Sequence, residues 1–209
     1  MPVSQAVRPS RQFRFNFFTA LTVGRLSATL CPDKQLNQTK EGGMEIKTVG
    51  HKRYQASYGR YLEDFELGAV YEHRPGRTIS EADNTQFSLM TMNFHPMHCD
   101  AAFAAKSEFG KLLVNSGLTL AVVLGMTVND ISGKAIANLG WKEINLTAPV
   151  FPGDTLYAES EVLEVRESKS RPTQGMVTVR TRAFNQNGVE IMNFIRTALV
   201  PKRGHGVGD

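Results

Sequence analysis

Little in this chain of 209 residues would cross-link it, anchor it or cradle a nucleotide. Its two cysteines, Cys31 and Cys99, are too few for a disulfide scaffold and lack zinc-ligand spacing, which points to a reducing compartment. No stretch approaches about 18 consecutive apolar residues, so no membrane-spanning helix is expected. There is no Gly-rich phosphate loop and no dinucleotide fingerprint, hence no implied redox cofactor. What is present, 41% hydrophobic and 21% charged residues, is the balance of a soluble globular domain.

The net charge of +4 does not signal a nucleic-acid partner, because it is confined to one end. Residues 1–44 hold six basic residues (Arg8, Arg11, Arg14, Arg25, Lys34, Lys40) against Asp33 and Glu41. The remaining 165 residues carry 18 charges of each sign and are neutral overall. A balanced body does not argue for a DNA-binding surface. The Arg-rich, acid-poor start reads as an extension outside the folded body. Glu41-Gly42-Gly43 ahead of Met44 is what a translated ribosome-binding site would give, which makes Met44 a candidate native start. The competing reading is an organelle-targeting peptide. The expected location is the cytoplasm, or a mitochondrion if residues 1–44 are such a peptide.

From about Tyr58 the chain becomes regular. Ala69–Ile79 contains β-formers interrupted by Pro75-Gly76, and Ser80-Glu81-Ala82-Asp83 reads as a helix start with Ser80 as cap. Pro96 forbids that helix from running past His95, and Asp100 can cap another through Ala101–Glu108. Gly117–Val128 is apolar almost all round, which predicts a helix buried on every side. Four strands follow, over Ala135–Thr147, Thr155–Lys169, Met176–Asn185 and Val189–Pro201, divided by turn residues such as Phe151-Pro152-Gly153-Asp154 and Asn187-Gly188. Val177, Val179, Thr181 and Ala183 alternate with Thr178, Arg180 and Arg182, the pattern of a sheet with one wet face. One apolar helix followed by an antiparallel meander implies an α+β fold, a sheet wrapped around a central helix over 115–130.

The densest chemistry lies in Met92–Asp100, where His95 and His98 flank Pro96, beside Asn93, Cys99 and Asp100. His95, His98 and Asp100 are metal-ligand types, but no further histidine completes a set, and no metal is expected. Cys99 reads as passive. The loop sits between two helices and just ahead of the central one, a place where loop residues carry function.

From Phe65-Glu66-Leu67-Gly68 to Arg196-Thr197 the chain resembles the MaoC-like, or R-specific enoyl-CoA hydratase, family, and the resemblance covers about residues 58–203. The family motif is an aspartate, two residues, then Pro-x-His-x-Asp, and His95-Pro96-Met97-His98-Cys99-Asp100 matches its second half. Val114-Asn115-Ser116-Gly117 resembles the family's Ile-x-His-Gly at the start of the central helix. The resemblance implies a hotdog fold, no metal or other cofactor, an acyl-CoA substrate and no nucleic-acid or membrane partner. A single hotdog leaves sheet edges and one end of the site open, so a homodimer or higher homo-oligomer is expected. It places the catalytic histidine at His98 and the carbonyl-polarising amide at Gly117. The chain departs from the pattern at Asn93, where the family has an aspartate, and at Ser116. Asn93 can orient a water but cannot take a proton near neutral pH, and Asp83 and Asp100 are the alternatives for a displaced base. The run Thr91-Met92-Asn93 is similar to a branch acting on methyl-branched dicarboxyl-CoA esters such as mesaconyl-CoA or itaconyl-CoA.

The implied activity is hydration of a 2-enoyl-CoA thioester or the reverse dehydration. His98 moves the proton, Asn93 holds the water, Gly117 receives the enolate oxygen, and Ser116, Lys169 and Arg171 (with Lys142) contact the substrate. A hotdog thioesterase and a non-catalytic acyl-CoA binding protein are the competing readings.

Overall fold

The computed structural model describes residues 46–207, so the expectation for residues 1–44 lies outside the described residues. It opens on a small hairpin, β1 (Ile46–Gly50) and β2 (Arg53–Ala56), which the sequence pattern did not suggest. A five-stranded antiparallel sheet forms the body: β3 (Val70–Thr78), β4 (Ala137–Leu146), β5 (Thr155–Glu167), β6 (Gln174–Phe184) and β7 (Glu190–Pro201), in the order β3-β5-β6-β7-β4. Pro75-Gly76 does not break β3. The strand continues through it, and pairing with β5 lapses only between His73 and Arg77, where proline has no N–H to give the ladder. In β6 Val177, Val179, Thr181 and Ala183 are buried and Arg180 and Arg182 exposed, as the alternation predicts.

Among the described residues four α-helices precede β4: α1 (Glu81–Met90), the single turns α2 (Pro96–Cys99) and α3 (Ala101–Ala104), and the central α4 (Ser116–Met126). The helix expected over Ala101–Glu108 is thus a single turn, started by the Asp100 carboxylate accepting the Phe103 N–H. α4 passes into a π-helical segment at Val128–Ser132. Burial on every side is not what α4 shows. Leu118, Thr119 and Val123 are buried against the sheet, whereas Ser116, Gly117, Ala121 and Gly125 are exposed.

α1 begins where Ser80 predicts. The Asp83 N–H donates to Ser80 Oγ at 3.1 Å, and the Asp83 carboxylate accepts the Ser80 N–H at 2.8 Å and an Arg77 guanidinium N–H at 2.9 Å. The Ser80 backbone and hydroxyl donors, aided by Arg77, hold the Asp83 carboxyl below its ordinary value of 3.8. Loss of the cap in Ser80→Ala should cost about 1 kcal/mol by chemical denaturation. A depressed folded-state pKa means that the stabilisation is present above 3.8 and is lost as pH falls through the folded value. The stability gap between the chain and Asp83→Asn should therefore close on acidification.

Two apolar clusters form the core, one between α4 and the sheet and the other between the sheet, the Leu62–Phe65 segment and Ile131. One joins Ile79, Val114, Leu118, Val123, Leu156 and Phe194, and the other joins Leu62, Phe65, Ile131, Val162, Val179 and Val200. The register sets a polar band between them, since Ser160 pairs with Thr181 while the flanking pairs Ala158–Ala183 and Val162–Val179 belong to the two clusters. Fully buried His73 donates Nδ1–H to the Asp130 carboxylate at 2.9 Å, and its Nε2 lies 2.8 Å from Ser160 Oγ, itself 2.8 Å from Thr181 Oγ1. Nearby, buried Arg196 donates to Thr127 Oγ1 at 3.0 Å, and burial lowers its pKa to about 10, so it stays charged at neutral pH. Both contacts tie the far end of α4 to the sheet.

Candidate active site

Asn115, buried and extended in backbone (φ −58, ψ 128), is the N-cap of α4, and its Oδ1 accepts the Gly117 N–H at 2.9 Å. Short polar side chains are favoured at this position because they satisfy an orphan amide. α1 lies over this helix end. Its Ser88 Oγ accepts from Asn115 Nδ2 at 3.2 Å, and Asn84 Oδ1 accepts the Asn115 N–H at 2.8 Å.

The loop from Thr91 to Asp100 carries the histidines. His95 caps α2, with Pro96 at its first position: His95 Nδ1 accepts the Met97 N–H at 3.2 Å. Asn93 Oδ1 accepts the His95 N–H at 3.3 Å. The half-buried His98 ring sits 5.9 Å from that of His95 and is fixed at one corner, where Nδ1 lies 3.0 Å from the Leu113 carbonyl oxygen. A carbonyl only accepts, so the proton is on Nδ1 and Nε2 is the basic nitrogen of the neutral ring. His98 lines an open cavity of about 300 Å³ with Phe109, Leu113, Ser116, Thr119 and the Leu146–Val150 wall.

His98 and Ser116 therefore share one cavity at the start of α4, where the helix dipole is positive. Gly117 follows directly, but its N–H is taken by the Asn115 cap. Asn93 stands in the same loop without lining the cavity, its oxygen committed to the turn. Lys169 and Arg171 are not brought here. They occupy the exposed β5–β6 turn, beyond Glu167 at the end of β5 remote from Thr155, and Lys142 is exposed on β4. Asp83 and Asp100, the alternative bases, serve as helix-start partners. Among the described residues no group of three or more His, Cys, Asp or Glu could hold a metal ion.

Sequence reasoning missed Asn84, Ser88, Thr119 and the wall after β4. The first two had a signal, since Asn84 and Ser88 are four apart on one helical face with Phe87 beside them.

A sheet wrapped on one helix, with a histidine loop over that helix's N-terminus, defines a hotdog of the MaoC-like class. Within that class, the family model for mesaconyl-CoA hydratase matches residues 46–209, and the chain belongs to that family. It is 37% identical over 145 residues to a mesaconyl-CoA hydratase of Cereibacter sphaeroides, covering 69% of this chain and 42% of the relative. It is 32% identical over 115 residues to the (R)-specific enoyl-CoA hydratase of Aeromonas caviae, covering 55% of this chain and 81% of that one. A solved MaoC domain protein dehydratase from Chloroflexus aurantiacus superposes with a TM-score of 0.67 at 34% identity, covering 69% of this chain and 41% of that chain. The chain thus spans about two fifths of the length of the mesaconyl-CoA hydratase relative.

Proposed function

We propose that this chain catalyses the reversible addition of water to a 2-enoyl-CoA thioester, with mesaconyl-CoA, the substrate in its relative's name, as the first acyl group to test. The observation that supports this reading most is the state of His98, whose Nδ1–H is spent on the Leu113 carbonyl while its ring lines the cavity at the α4 N-terminus. Nε2 takes a proton from water as the oxygen adds at Cβ, and the imidazolium returns a proton to Cα. Enolate charge on the thioester oxygen is met by the first amides of α4, with Gly117 releasing or sharing its bond to Asn115. Ser116 contacts the substrate from the cavity wall, and Asn93 turns to hold the water.

A second copy completes the molecule in this reading. Among the described residues β4 is bonded on one side, to β7, and shows exposed Leu139, Trp141, Ile144 and Leu146 along its other edge, the kind of edge that folded proteins cover. The longer relative leaves room for a second body of this size. Lys169 and Arg171 act on coenzyme A phosphates only if that second copy delivers them, and light scattering should then give twice the chain mass.

The experiment is to mix the protein with mesaconyl-CoA and crotonyl-CoA and follow both the enoyl-thioester absorbance and free thiol. Loss of the enoyl signal without thiol release is the expected result. Thiol release would make the protein a thioesterase, and binding without turnover would make it a non-catalytic acyl-CoA carrier.

A further inference from the structure

Asn84 lies outside the histidine loop and outside the cavity lining, yet it is completely buried and every hydrogen of its amide is used. Its Nδ2 donates to the His98 carbonyl at 2.9 Å and to the Leu113 carbonyl at 3.0 Å, and its Oδ1 accepts the Asn115 N–H at 2.8 Å. These three backbone groups come from the histidine turn, from the segment before α4 and from the α4 cap. The Leu113 carbonyl is the same one that receives His98 Nδ1–H, so one oxygen takes Asn84 on one lone pair and the imidazole on the other. One turn along α1, Ser88 holds the Asn115 side chain, whose oxygen in turn holds the Gly117 N–H.

We infer that Asn84 is a positioning residue, which sets His98 against the N-terminus of α4 so that proton carrier and carbonyl site keep one fixed separation. The inference rests on the hydratase reading for its kinetic consequence, though not for its structural one. A planar amide supplies two donors and one acceptor at fixed angles, which no hydroxyl or carboxylate of similar size does. Packing alone would be served by an apolar residue at this fully buried position. Instead the side chain addresses the backbone of His98 itself and the carbonyl that fixes its tautomer. The separation it holds is the quantity on which a proton transfer depends most steeply, since a misplacement of about 1 Å can cost about 10²-fold.

The test uses the full chain and two variants. Asn84→Ala removes all three bonds, and Asn84→Asp keeps the shape and the acceptor for Asn115 while removing both donors, which covers the case in which the alanine variant does not fold. Turnover of the enoyl thioester is measured per folded molecule, and the ring nitrogens of His98 are read by long-range proton–nitrogen NMR, which needs no activity. The chain itself should show one His98 tautomer, with the proton on Nδ1. In the folded variants kcat should fall about 10- to 100-fold with KM within about threefold, and the ring should lose its single tautomer. Variants that melt lower but keep kcat within twofold and the Nδ1–H signal would reduce Asn84 to packing and overturn the inference. If the chain itself has no turnover, the hydratase reading fails, and the ring spectrum alone decides for or against Asn84.

Discussion

His98→Ala is expected to lower turnover of the enoyl thioester by a factor of about 10²–10⁴, the range spanned by loss of a general acid–base group. His98 is an imidazole in the cavity, and the ring nitrogen left as acceptor is the one its anchoring bond does not use. The substitution removes one bond to a backbone carbonyl from a half-buried ring, so folding should survive and circular dichroism should match the parent. Asn93→Ala should cost less than His98→Ala, because its oxygen is committed to the His95 N–H and the role proposed for it is to position water, with no proton to carry. Asn93→Asp should be tolerated or raise crotonyl-CoA turnover. Abolished turnover in Asp83→Asn or Asp100→Asn, with the fold intact, would transfer the base to a carboxylate and end the single-histidine mechanism.

The largest effect on stability should come from a residue that touches no substrate. Gly59 has φ +68, and a Cβ built on it would stand 2.4 Å from the Lys134 nitrogen and 2.7 Å from the Gly133 carbonyl carbon. Both are backbone atoms, which no rotamer change can move. Its own N–H donates to the Asn129 carbonyl at 2.8 Å, so the segment cannot swing away without losing a bond. Overpacking of this kind costs about 1–3 kcal/mol and the left-handed backbone about 1 kcal/mol more. Gly59→Ala should therefore destabilise by about 3 kcal/mol, a fall in Tm of about 6–12 °C for a domain of this size. Gly68→Ala is the control, because Gly68 has φ +80 with open space around it and should lose about 1 kcal/mol, the conformational part alone. Catalysis by the folded fraction should be unchanged in both, since neither glycine lines the cavity.

The sheet was legible because strand alternation is a local signal, and the buried Val177, Val179, Thr181 and Ala183 carry it without help from the rest of the chain. The start of α1 was legible for the same reason, as Ser80 and Asp83 complete their contacts within three residues. The β1–β2 hairpin was not, since Ile46–Ala56 has neither clean alternation nor a recognised turn pair. Pro75 misled because a proline in a strand reads as a break, whereas on β3, at the edge of the sheet, it removes only part of one ladder. In the site, His98 stood out through the proline and aspartate around it. Asn84 did not, because an asparagine inside a helix looks like a solvated face until the fold sets two carbonyls against it. Lys169 and Arg171 lie in the β5–β6 turn and not at the cavity, a placement hidden in the sequence because a charge in a turn has no address until the turn's end of the sheet is known.

The band of His73, Asp130, Ser160 and Thr181 between the two apolar clusters has a consequence for how this domain tolerates change. Replacing one member strands a buried donor or acceptor at a cost of about 1–3 kcal/mol, while exchanging the whole set for apolar residues of equal volume can approach neutrality. Single-site effects at these four positions will therefore not add, and a double-mutant cycle on His73 and Ser160 should show coupling well above the few tenths of a kcal/mol seen between independent sites. Although 57 to 108 positions separate His73 from its partners along the chain, the four behave as one heritable character, free to drift together and held in place individually.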